Sequence, residues 1–191
     1  MESSRTSVMT VTTAKWTIEE YHQLIETGIL DDKRVELLEG TIVDMPPEGT
    51  PHAVYCSESV SYLSELLGNR AAVREGHPIT LPNDSEPEPD IAIVRAPSRQ
   101  YLTHHPYPAD IFWLIEYANS TLKKDLNEKK RVYAEAGIGE YWVVNLQASE
   151  LIVFRDIDGD VYQSQTRLVA GTISPLSFPA LQINVSKLFT I

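Results

Sequence analysis

The sequence predicts an α/β or α+β fold, a mixed sheet flanked by helices with additional β-hairpins, and three observations lead there. Short apolar runs that do not alternate, "DIAIV" at 90–94, "DIFWLIEY" at 110–117 and "GEYWVVN" at 139–145, have the pattern of strands covered on both faces. The segment between the second and third runs has helical periodicity and can cross from one to the other. Turn pairs between alternating stretches, Glu39-Gly40 and Asp158-Gly159, mark a hairpin toward each end of the chain. With 191 residues and 42% hydrophobic content, the expectation is a single domain over 15–191. A disordered N-terminal arm, rich in Ser and Thr, is expected over 1–14.

The elements follow in order. Thr17 and Glu20 form a capping box for a short amphipathic helix carrying Ile18, Tyr21, Leu24 and Ile25, stopped by Gly28. "RVELLEGTIVDM" reads as a hairpin with Glu36 in its first strand, closed by Pro46-Pro47. A second helix is expected from His52 to Leu67, ended by Gly68, and "AAVREGHPITLP" as a strand pair. The prolines within "NDSEPEPD" keep that stretch extended, and its first three acids read as solvated linker. Asp125 as N-cap with Glu128 as partner starts a helix over about 126–136, ended by Gly137. The C-terminal hairpin turns at Asp158-Gly159, and an edge and closing segment follow.

Composition narrows the function. Sixteen Lys and Arg against 27 Asp and Glu give a net charge of −11, which argues against broad phosphate binding. Five of those cations nevertheless lie between Lys123 and Arg131. A local nucleic-acid contact through Lys123, Lys124 and Lys130 is therefore expected. The lone Cys56 excludes an internal disulfide and reads as a buried small residue, which suits a reducing compartment. No stretch approaches the ~18 apolar residues of a membrane span, and the start lacks a signal-peptide core, so a cytoplasmic protein is expected.

The chemistry concentrates in two acids and a lysine. Asp90 opens one buried strand and Glu116 closes another, and buried carboxylates must be paired, protonated or bound to a cation. Oxygen ligands of this kind suit Mg2+ or Mn2+. On the expected helix, Lys129 falls near the centre of the apolar arc, whereas Lys130 lies roughly 95° away and Arg131 nearly opposite. An inward ammonium must snorkel or meet an anion, and Glu116, Asp90 or a bound phosphate are the candidates.

"PDIAIV", "LIEYANST", "DLNEKKRVYAEAGIGEYWVV" and "VELLEG" together resemble the Uma family, grouped with restriction endonucleases in the PD-(D/E)XK nuclease superfamily. The resemblance spans roughly Thr17 to Phe189. It departs from the superfamily pattern where a lysine is wanted two residues after the Glu, because Ala118 stands there. The Uma-like pattern takes the lysine from the following helix, at Lys129. The resemblance implies a restriction-endonuclease-like core in which Asp90, Glu116 and the Tyr117 carbonyl bind Mg2+ or Mn2+, and Lys129 orients the attacking water. It places Glu36 and His52 at the same site. DNA is the implied substrate and a homodimer the simplest way to cut both strands. The alternative is a catalytically idle nuclease fold acting as a binding or structural module.

Overall fold

The computed structural model describes residues 12–190. The arm expected over 1–14 lies, as far as residue 11, outside the described residues. Helix α1, Ile18–Glu26, starts on the expected capping box: the Glu20 amide donates to the Thr17 hydroxyl, and the Thr17 amide to the Glu20 carboxylate. Strands β1, Val35–Leu38, and β2, Thr41–Asp44, form the first hairpin. Its tip requires glycine: Gly40 has φ +68°, and a Cβ there would stand 2.8 Å from the Trp16 carbonyl oxygen. Helix α2, Thr50–Leu67, begins with Pro51 in its first turn and ends at Gly68.

A six-stranded sheet follows, built of β3 (Ala72–Glu75), β4 (Ile91–Val94), β5 (Ile111–Ala118), β6 (Tyr141–Asn145), β7 (Glu150–Asp158) and β8 (Val161–Leu168), adjacent in that order. Only β5 and β6 run parallel, and the helical segment between them makes the crossover. Two short strands, β9 (Thr172–Ile173) and β10 (Ile183–Asn184), pair near the C-terminus.

The sheet is covered on both faces, which accounts for the missing alternation. Ile91, Ile93, Trp113, Ile115 and Tyr117 pack with Cys56, Leu63 and Leu67 of α2 and with Leu188. Ala92, Val94, Leu114, Ala118 and Val143 pack on the opposite face with Val132 and Tyr133 of the crossover helix. Successive strand residues point to opposite faces, so Glu116 shares the crossover face with Leu114 and Ala118. Cys56 is the buried packing residue expected of it, and burial pushes its thiol up, out of nucleophilic range.

Three expectations need correction. "AAVREGHPITLP" is not a strand pair: only Ala72–Glu75 is a strand, while Ile79 and Leu81 donate to the carbonyls of Pro87 and Ser85. Pro78 lacks the N–H a ladder needs. The acids of "NDSEPEPD" are not all solvated. Glu86 is 3% exposed, held by the Thr80 hydroxyl and the His22 ring at 2.8 Å each, because the Glu86 amide donates to the Leu37 carbonyl and lays this stretch along β1. Last, the crossover helix begins before Asp125. Leu122–Lys124 is already helical, Asp125–Lys129 forms a wide π turn, and Lys130–Glu135 returns to α geometry. Asp125 has helical backbone angles and is no N-cap. Leu122, Lys123 and Lys124 are all good helix formers that extend the helix toward its N-terminus.

Candidate active site

Glu116 and the crossover helix meet because the strand's alternation and the helix's phase agree. The Lys129 ammonium donates to Glu116 Oε1 at 2.7 Å, and the Tyr133 hydroxyl donates to the same oxygen at 2.7 Å. Lys129 is 5% exposed and Glu116 3%, so the inward lysine meets an anion rather than snorkelling. It lies 3.6 Å from Glu36 Oε2 as well. Glu36, in β1, also accepts from Lys124 Nζ at 2.7 Å and from the Glu88 amide at 3.1 Å.

Asp90 sits at the foot of β4, beside the end of β5. Its Oδ2 accepts from the Tyr117 amide at 2.6 Å and lies 3.0 Å from Nε2 of His52, in the first turn of α2. Asp90 and Glu116 thus each direct one oxygen to protein donors and keep the other for the pocket. The pocket wall includes Arg34, Glu36, Glu48, His52, Glu88, Asp90, Glu116, Lys124, Asp125 and Lys129. Six carboxylates therefore face three Lys or Arg cations, an acidic excess in a half-enclosed space.

Burial and these charges together shift the groups of the pocket. Burial pushes the Glu116 carboxyl well up; Lys129 opposes the shift, and Asp90 and Asp125 add to it. Burial works against charge on Lys129 too, but Glu116, Glu36, Asp125 and Asp90 outweigh it and hold the ammonium well above the usual lysine range. For Glu36, burial is overcome by Lys129 and Lys124, which hold its carboxyl below the usual value. Burial of His52 is likewise outweighed by its bond to Asp90, and its imidazole is raised.

A family model described as "Putative restriction endonuclease", Uma2, matches residues 18–186. The chain belongs to the Uma2 family. Among solved structures, one described as "a putative nuclease belonging to DUF820", from Anabaena variabilis, superposes with a TM-score of 0.72 over 91% of this chain and 97% of that one, at 19% identity. The likeness is one of fold. No curated protein matches the chain. Among the described residues, no helix is long and apolar enough to cross a membrane.

In this Uma2 chain, Glu36, His52, Asp90, Glu116, Tyr117 and Lys129 come from five separate elements and meet around one pocket. Of the three lysines expected to face nucleic acid, Lys124 stands in the pocket wall against Glu36 and Lys123 is exposed. Lys130 turns away, its ammonium 5.2 Å above the Phe154 ring. Arg131 is committed to Glu39 and Glu135. Among the described residues, no three His, Cys, Asp or Glu side chains converge closely enough to hold an ion by themselves.

Sequence reasoning missed Arg34, Glu48, Glu88 and Asp125 in the wall of this Uma2 pocket, and Tyr133, which reaches Glu116. Tyr133, read as core, donates its hydroxyl to Glu116. Asp125, read as a cap, is 3% exposed, and its Oδ2 has no hydrogen-bond partner. Burial raises the Asp125 carboxyl, with Lys129 and the nearby Thr121 hydroxyl opposing. The signal for Asp125 was available: residues four apart differ by about 40° on a helix, so a helix that turns Lys129 inward turns Asp125 inward as well.

Proposed function

We propose that this Uma2 chain is a metal-dependent DNA endonuclease that hydrolyses phosphodiester bonds at the Asp90–Glu116–Lys129 pocket. The observation that carries the reading is a buried lysine held between two buried glutamates in a pocket whose carboxylates outnumber its cations two to one. A phosphodiester brings a further negative charge, and such a pocket takes it up only together with a compensating cation.

The donor set fits Mg2+ or Mn2+. Asp90 and Glu116 each keep an oxygen free of protein donors, and the Tyr117 carbonyl leaves β5 on the same edge as the amide that reaches Asp90. Two carboxylates and a carbonyl, with water completing the shell, suit a small hard cation better than a closed protein cage does. When bound there, the cation would supply positive charge against the developing charge on the phosphate oxygens.

The chain's own residues do the rest. Lys129 would orient the attacking water; Glu116 and Glu36 hold that ammonium in place, and the Tyr133 hydroxyl steadies Glu116. His52 braces Asp90 through Nε2. Water's oxygen joins phosphorus as one of its protons passes to solvent, and the bond from phosphorus to one deoxyribose oxygen breaks, that oxygen taking a proton from solvent and leaving as a hydroxyl. Lys123 and Lys124 lie at the rim where a DNA phosphate would approach; Lys130 sits farther round the helix and would contribute less. Cutting both strands of a duplex with one site per chain calls for a two-fold dimer, and the single reduced cysteine suits work in the cytoplasm.

The test is supercoiled plasmid incubated with Mg2+ or Mn2+ against EDTA controls. Nicking or linearisation only with the metal is the expected result. One observation favours a second reading, an idle nuclease fold serving as a binding module: the lysine is absent from its superfamily position, which Ala118 occupies. Plasmid left intact across a range of salt, with no metal-induced rise in melting temperature, would establish that reading instead.

A further inference from the structure

No acid stands between Asp90 and Asp110, in a chain that carries 27 of them in 191 residues, and the connection from β4 to β5 runs through that stretch. Its tip holds Leu102, 85% exposed and the most exposed large apolar side chain among the described residues. Nearby Arg99 is exposed too and forms no ion pair among the described residues. The tip is braced rather than loose. Gln100 Nε2 and the Tyr101 hydroxyl donate to the Arg95 carbonyl at 2.8 and 3.1 Å, and the Thr80 amide donates to the Pro106 carbonyl at 3.0 Å. His104 stacks on Tyr107 with ring centres 5.1 Å apart. A loop held this way keeps an apolar tip in water, and it loses little freedom when something covers that tip. Tyr101 packs on the cluster that includes Leu114 and Tyr133, so the loop stands on the side of the sheet that carries Glu116.

We propose that the loop 98–107 is a DNA contact beside the cut, which presses Leu102 as a wedge between base steps and sets Arg99 against the adjoining phosphates. The inference rests on the endonuclease reading above. Charge selects the occupant. A chain of net charge −11 repels a polyanion over most of its surface, and this acid-free stretch is where it does not. The cleft between the loop and α1 holds one acid, Glu19, against His22, His104 and His105. Asp110, which ends the stretch, is committed to the Tyr107 amide at 3.1 Å. Exposed apolar wedges of this kind unstack base steps from the minor groove and kink the duplex by about 20–90°. The span agrees with a flanking contact: the four residues of β4 carry the chain about 13 Å from Asp90, or about four base steps of duplex at ~3.4 Å each. The loop therefore meets the flank and not the scissile phosphate, and it governs how tightly DNA is held rather than the bond that breaks.

The test is binding of the full chain to short duplexes of random sequence, with a dye at each end so that energy transfer reports bending, Ca2+ in place of Mg2+, and thermal melts beside it. The proteins are the parent, Leu102→Ser, Arg99→Gln and, as control, Val169→Ser, an apolar residue 68% exposed in the segment after β8. The parent should bend the duplex by at least about 20°. Leu102→Ser should melt with the parent, lose the bend and bind at least about tenfold more weakly. Arg99→Gln should keep the bend and lower the slope of log affinity against log salt by about 1. Val169→Ser should bind within about twofold of the parent. A duplex left straight by the parent overturns the proposal. So does a bend or an affinity in Leu102→Ser equal to the parent's, which would leave the loop to a protein partner. An equal loss in Val169→Ser, or a lower melting temperature in Leu102→Ser, overturns it too, the latter by assigning the tip to the fold. A parent that binds no DNA removes this proposal and the endonuclease reading together, whereas a parent that binds and, given Mg2+, cuts beside an indifferent Leu102 removes this one alone.

Discussion

Glu140 and Glu116 are both buried carboxylates beside the parallel strand pair, and they are finished differently. Glu140 Oε1 accepts from Arg155 Nε at 3.0 Å and from the Trp142 indole at 2.7 Å, and its Oε2 from the Leu176 amide at 2.7 Å. Arg155 also donates to the Ser174 carbonyl at 2.7 Å, so this knot ties β7 to the C-terminal segment. Glu116 receives both of its donors on Oε1 alone. A carboxylate saturated on both oxygens holds a fold together; one saturated on a single oxygen, facing a pocket, is left available for a ligand.

The largest expected effects come from exchanging those two roles. Glu116→Gln and Asp90→Asn should abolish metal-dependent plasmid cleavage while melting near the parent in EDTA, since each keeps volume and an acceptor. Glu140→Ala should do the reverse. It leaves a largely buried guanidinium and two N–H groups unpaired, costing about 3–5 kcal/mol and on the order of 10 °C in melting temperature, with cleavage per folded molecule retained. If Glu116→Gln proved as unstable as Glu140→Ala, the contrast would collapse and Glu116 would be another structural knot.

Lys129 against Lys130 sharpens the comparison next. Lys129→Met should reduce single-turnover cleavage by at least about a hundredfold. It should also lower the melting temperature, because two buried glutamates lose the cation they share. Lys130→Met should do little in either assay. A dead Lys130→Met beside an active Lys129→Met would reverse the assignment.

How much of this was legible in the sequence depends on where each signal lives. Both-face burial writes itself as an unbroken apolar run, so β4, β5 and β6 could be read directly, and the helical phase put Lys129 inward. Glu36 was placed by the Glu39-Gly40 turn. The D-x-x-E pattern at 125–128 satisfies a capping box as well as a helix interior, and what decides between them is that Leu122–Lys124 is already helical, so that Asp125 stands inside the helix. Glu86 was misjudged for another reason. Flanking prolines report an extended backbone, but the burial comes from His22 and Thr80, distant in the chain.

A smaller effect follows from the open oxygens. Mn2+ at a hundred times its dissociation constant should stabilise the parent by about 2.7 kcal/mol, on the order of 5–10 °C, and Glu116→Gln should lose that shift in the same thermal melts. A full shift in the variant would move the cation elsewhere.

The smallest effect belongs to an exposed pair. Arg131 holds the Glu39 carboxyl below the usual carboxylate range through their hydrogen bonds. The unfolded chain therefore takes up that proton at a higher pH than the native one. The pair's contribution is complete above about pH 4.3 and fades as pH falls through the lower folded value. Screening keeps it below about 1 kcal/mol. Denaturant melts of parent and Arg131→Gln should differ at pH 7 and coincide in strong acid; a difference that grows toward acid would contradict the pairing.

The ion pair between Glu36 and Lys124 joins residues 88 positions apart, and Lys129 lies farther still along the chain. Closing so long a loop is entropically slow, and contacts of high sequence separation are among the last to be rewarded during folding. A chain emerging from the ribosome has all three of Glu36, Asp90 and Glu116 in hand before the lysine that completes them is synthesised. The pocket therefore forms only after Lys129 has been made, and any activity it supports appears no earlier than the step that docks the crossover helix on β1 and β5.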